Sequence, residues 1–142
     1  IKSEEAHAAV EKMQKFIETN IDRRITLAEL AKAANYSQSH AARMFKELTG
    51  KNPFDYIRSL RLTQAARKLR EGKEKVIDIA FDFVFDTHEG FTRSFTREFG
   101  INPRKYKKNP IPLKYFIPYN VLHRYYFYNK GDRTMQTKCQ SE

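Results

Sequence analysis

The sequence has 142 residues, enough for one ordinary domain or two very small ones. It carries 27 Lys+Arg against 17 Asp+Glu, a net charge of +10, and its 40% hydrophobic and 13% aromatic content can build a packed core. No apolar run is long enough to span a membrane, no signal-peptide series is present, and one cysteine, Cys139, cannot form an internal disulfide; a basic, cytoplasmic domain with a polyanionic partner is what remains to expect.

Apolar spacing predicts an all-α chain of about seven helices. The first runs from about Ser3 to Asn20, with Val10, Met13, Ile17 and Ile21 on one face. Thr26-Leu27-Ala28-Glu29 is a capping box for a short helix ending near Ala33. Ser37 caps a third helix, which turns Ala41, Met44, Phe45 and Leu48 inward and ends near Thr49. Asn52-Pro53 opens the longest helix, to Glu71, carrying Phe54, Ile57, Leu62, Ala65, Ala66 and Leu69. Helices over about Lys75 to Asp82, Thr87 to Phe99 and Pro103 to Lys107 complete the set, and Gly50, Gly72 and Gly100 each follow an amphipathic run where a left-handed residue ends a helix.

Two of these units repeat. Leu30-Ala31, Tyr36-Ser37, Arg43, Phe45, Gly50, Pro53 and Tyr56 recur as Ile79-Ala80, Phe85-Asp86, Arg93, Phe95, Gly100, Pro103 and Tyr106, with one residue inserted in the second copy. Each copy is a short helix, a tight turn and a longer helix, the helix-turn-helix pattern whose second helix enters the major groove of DNA. The expected division is a first helix-turn-helix subdomain (1–50), a bridging helix (51–72), a second subdomain (73–108) and a Pro- and aromatic-rich linker (109–142) in which no amphipathic helix can be drawn. Phe81, Phe83, Phe85, Phe91, Phe95 and Phe99 are expected in the core rather than as a stacking platform.

The exposed faces nominate the contacts. On the first recognition helix Gln38, Ser39, Ala42 and Arg43 can reach base edges, Arg43 by forking onto guanine and Ala42 by touching a thymine methyl. On the second, His88, Glu89, Thr92 and Arg93 hold the same positions, although Glu89 also fits an N-terminal cap. Ser37, Lys46, Arg58, Arg61, Arg97, Lys105, Lys107 and Lys108 are the candidates for phosphate. The charge sits mostly on the scaffold: residues 58–75 hold seven basic and two acidic side chains, whereas residues 86–98 hold two basic and three acidic ones. Nearly neutral helices would read, and the scaffold would hold the backbone.

Residues 4–108, above all Ile25 to Ala34 with Tyr36-Ser37, Arg43 to Lys46, Phe54 to Ala66, and Ile79-Ala80 through Phe85, Phe91 to Phe95 and Pro103 to Tyr106, make the chain one that resembles the AraC/XylS family of bacterial transcription regulators. The resemblance implies two helix-turn-helix motifs joined by one long helix, in successive major-groove segments on one face of the duplex. It departs from the family pattern at Asn35 and Val84, where glycine or a small residue is usual, and at Ser39 and Ala42, where larger side chains are common. The tail from about Ile111 looks like the connector that in some members leads to a small-molecule domain of the gyrase-inhibitor type, so the chain is expected to be a portion of a longer protein, with an effector reached only through a domain absent here.

No metal-ligand spacing, Gly-rich phosphate loop or nucleophile–base pair is present, so no metal, cofactor or enzymatic activity is expected, and Cys139 reads as an incidental thiol. The expected partners are double-stranded DNA and RNA polymerase, with no membrane. A sequence-indifferent polyanion or membrane-surface binder, or a partner-binding helical module, is the alternative.

Overall fold

The computed structural model describes residues 3–131. Eight α-helices follow in order: α1 (Glu4–Thr19), α2 (Leu27–Ala34), α3 (Gln38–Thr49), α4 (Pro53–Glu71), α5 (Val76–Asp82), α6 (His88–Phe99), α7 (Pro103–Lys108) and α8 (Val121–Tyr126), with a π-helical turn over Phe127–Gly131 and no strand among the described residues. The first seven fall within a residue or two of their expected bounds. No helix among the described residues is long and apolar enough to cross a membrane. Cys139 lies outside the described residues.

The chain forms two compact units. In the first, α1 packs on α2, α3 and α8, and its apolar stripe of Val10, Met13 and Ile17 is fully buried. The capping box forms: Glu29 N donates to Thr26 Oγ1 at 3.2 Å while Thr26 N donates to Glu29 Oε1 at 2.9 Å. In the second unit α4, nearly all of which belongs here, contributes Leu62, Ala65, Ala66 and Leu69 to a core completed by Val76, Ile79, Ala80, Phe91, Phe95 and Tyr106. Residues 20–25 also belong to this second unit.

The repeat is visible in hydrogen bonds. Tyr36 N donates to Ala31 O, and 49 residues later Phe85 N donates to Ala80 O, both at 3.0 Å. Each bond reaches back five residues around a left-handed residue, Asn35 at φ +59° and Val84 at φ +69°. The positions where the resembling family favours glycine thus take the conformation glycine suits. Asparagine tolerates it, but a β-branched valine there is strained.

Three expectations are corrected. The repeat as read pairs Ser37 with Asp86, but the cap of α6 is Thr87, whose Oγ1 accepts from Gly90 N at 2.9 Å, so Asp86 is the inserted residue. Phe81, expected in the core, is 53% exposed, because α5 turns it away from Ile79 and Ala80; Phe54 on α4 is exposed as well. The stretch after Asn109 does contain a helix, α8. At six residues it is too short to show a periodicity, and Asn120 caps it through His123 N at 2.9 Å.

That stretch is also packed. Residues 110–117 join the second unit, where Leu113 and Tyr115 lie against the core, Tyr115 and Tyr106 share a hydroxyl hydrogen bond of 3.0 Å, and Phe116 N donates to Thr63 Oγ1 at 2.9 Å. Residues 118–131 join the first unit, where buried Gln14 donates to Tyr119 O (2.9 Å) and accepts from Val121 N (3.1 Å).

Candidate nucleic-acid interface

Within the first unit, Ser37 starts α3 by accepting from His40 N at 3.3 Å, and His40 stacks on the turn residue Tyr36 with centroids 4.2 Å apart. With Ala41, Met44 and Phe45 buried, the outward face carries Gln38, Ser39, Arg43 and Lys46, all exposed, and half-buried Ala42. The helix therefore offers two cations, two neutral polar groups and a methyl on one surface, a set that can contact base edges and phosphates.

In the second unit α6 repeats this arrangement at an offset of 50. Phe91 and Phe95 are buried, Glu89, Arg93 and Arg97 are exposed, and His88 and Thr92 are half-buried. His88, Glu89, Thr92, Arg93 and Arg97 line one concavity of about 670 Å³. Beside it, His88 and Thr92 share a cleft of about 450 Å³ with Lys105 and Lys108 of α7. The structure thus gathers the candidate readers of α6 and the candidate phosphate contacts of α7 on one surface.

Arg104 lines that cleft too; it belongs to the basic helix end of Lys105, Lys107 and Lys108 but is not among the nominated phosphate contacts. Its signal was available: a cation in the first turn of a helix opposes the helix dipole, which normally favours acidic residues there. The capping residue for α7, Asn102, supplies the local start, accepting from Lys105 N at 2.8 Å.

The scaffold cations differ. Arg58 is exposed and forms an ion pair with Asp55 at 2.7 Å. Arg61 is half-buried, and its guanidinium donates to Ile21 O (2.9 Å) and Arg23 O (2.6 Å). Burial, then neighbouring Arg24, push its pKa below the ordinary arginine value, with Asp22 opposing. The loop that Arg61 holds reaches α6 in turn, since Arg24 pairs with Asp86 at 2.6 Å, one residue before the Thr87 cap.

A family model described as "Helix-turn-helix domain" matches residues 30–109. The Transposon Tn10 TetD protein of Escherichia coli is 38% identical over 96 residues, covering 68% of this chain and 70% of that protein. The chain belongs to the AraC/XylS family of sequence-specific DNA-binding transcription regulators. The right origin-binding protein of Escherichia coli K12 is 37% identical over 95 residues, which cover 67% of this chain but only 33% of that protein. The AraC/XylS fold recurs in solved structures. One is a probable AraC family transcriptional regulator from Rhodopseudomonas palustris, with TM-score 0.67 and 25% identity over 74% of this chain and 99% of that one. Another is the DNA-binding domain of AdpA in complex with a target DNA, with TM-score 0.66 and 23% identity over 70% and 89%.

Proposed function

We propose that α3 and α6 are the two reading helices of this regulator, each entering its own major-groove segment of one duplex. The observation that carries the reading is the shared register: Gln38, Ser39, Ala42 and Arg43 recur at the same helical positions as His88, Glu89, Thr92 and Arg93, opposite buried aromatics and behind equivalent hydroxyl caps. Two helix-turn-helix copies on one chain, with groove segments one helical turn apart, favour a direct, non-palindromic operator of about two helical turns. In this reading Arg43 contacts guanine, Ala42 a thymine methyl, and the remaining polar side chains the neighbouring base edges. Ser37, Lys46, Arg58, Arg97, Lys105, Lys107, Lys108 and Arg104 hold phosphates, while Arg61 holds the 20–25 loop.

The protein would act in the cytoplasm without chemical catalysis. In this reading the exposed side chains of Phe127 and Tyr128, beside α8, are the contact for RNA polymerase. Phe127→Ala should then lower transcription in a purified system at unchanged duplex affinity, and unchanged transcription would remove that contact.

Selection from random duplexes, followed by two variants, tests the reading. Arg43→Ala should cost about 1–3 kcal/mol and relax preference at one base pair. Lys107→Ala should weaken all sequences alike and flatten the slope of log affinity against log salt by about 0.9. An Arg43→Ala variant that behaved like the lysine variant would remove Arg43 from base reading.

A further inference from the structure

A cavity of the second unit lies beside the reading surface rather than on it. It has a volume of about 700 Å³ and lies where α5, the start of α6 and α7 meet, within the size range of small-molecule sites. Val76 and Ile77 form its apolar wall, and Lys75, Arg104, Lys107 and Lys108 surround it, with His88 at the edge it shares with the recognition helix. No ion pair or hydrogen bond holds any of these four lysine and arginine side chains among the described residues. Ile77 is 42% exposed.

These two properties select a ligand chemistry. Unpaired cations call for an anion, and a DNA phosphate would satisfy them. A phosphodiester gains nothing from Val76 and Ile77, however, since its oxygens need donors and water. An apolar wall beneath a ring of cations is complementary to an organic anion with an apolar body, which covers the wall and presents its charge to the rim.

We propose that this cavity binds a small amphiphilic organic anion, a carboxylate or sulfonate on an apolar ring or chain. Because Lys107, Lys108 and His88 are shared with the proposed DNA contacts, the anion and the duplex compete; that clause alone rests on the function proposed above. A ligand here acts on the DNA-binding surface directly, without a separate effector domain.

The test titrates the full chain with anilinonaphthalene sulfonate, an apolar anion whose fluorescence reports a dry site, and with phenylnaphthylamine, its uncharged analogue. Saturable one-site binding of the sulfonate is expected, with the analogue weaker by about ten-fold or more. Ile77→Gln and Lys107→Ala should each lose about ten-fold in sulfonate affinity, Ile77→Gln doing so with an unchanged helical circular dichroism spectrum and unchanged duplex affinity. Selected duplex should displace the probe. Equal affinity for both probes, or no loss in Ile77→Gln, would overturn the site. A bound duplex that leaves the sulfonate in place would overturn the competition. A chain that binds the sulfonate as expected but no duplex would overturn the function and leave the site standing.

Discussion

Arg61 donates its Nη2 hydrogen bond to the carbonyl oxygen of Arg23 at 2.6 Å, so a cation of the basic scaffold is spent inside the protein. Its Nε takes the carbonyl of Ile21 at 2.9 Å. The lowered pKa of Arg61, caused first by burial, records the same fact. Arg61→Ala should therefore destabilise the fold by about 1–3 kcal/mol, the cost of orphaning carbonyls and losing charge-assisted bonds. Denaturant unfolding measures it. The salt slope of DNA binding should not change, and a slope flattened by about 0.9 would instead make Arg61 a phosphate contact.

Val84 holds φ +69° with a branched β-carbon, a conformation that costs about 1–2 kcal/mol for an L-residue. Val84→Gly relieves the strain and gives back part of it as backbone entropy in the unfolded chain. A net gain of about 1 kcal/mol is expected, seen as a higher melting temperature. A lower one would mean that the contacts of Val84 with its neighbours outweigh the strain.

Gln14, 4% exposed, both donates to Tyr119 O and accepts from the buried Val121 N. Gln14→Ala leaves a buried amide N–H without its partner, at a cost of about 1–3 kcal/mol. Removing residues 118–142 should do the same and more, because buried Glu11 also loses its bond from Asn120 Nδ2 at 3.0 Å. If the shortened chain melted at the parent temperature, the segment would be an ornament on the first unit rather than part of it.

Burial, and then the hydrogen bond with Tyr115, push Tyr106 up to about 12. An unfolded phenol titrates near 10, so the folded state favours the neutral form. Its contribution is complete below about pH 10 and is lost as the pH rises toward about 12. The stability advantage of the parent over Tyr106→Phe should shrink across that window. A difference independent of pH would contradict the assignment.

What the sequence by itself determined was local. Helices α1 to α7, the Thr26–Glu29 box and the Ser37 cap follow from apolar period and capping chemistry, which act within a few residues. The repeated register of α3 and α6 was legible for the same reason, and so were the candidate readers at equivalent positions. The repeat leaves the inserted residue open, because Asp86 and Thr87 both fit opposite Ser37; the turn geometry makes Thr87 the cap. Tertiary structure decided the rest. Whether Arg61 meets a phosphate or a carbonyl depends on a loop 38 residues away. α8 is too short to form on its own strength, and its first backbone N–H is held by Gln14, 107 residues earlier. The cavity beside α5 exists because Ile77 of α5, His88 of α6 and Arg104 of α7 converge from separate segments. Period and capping are written in neighbouring residues, whereas convergence of distant side chains is set only when the core closes.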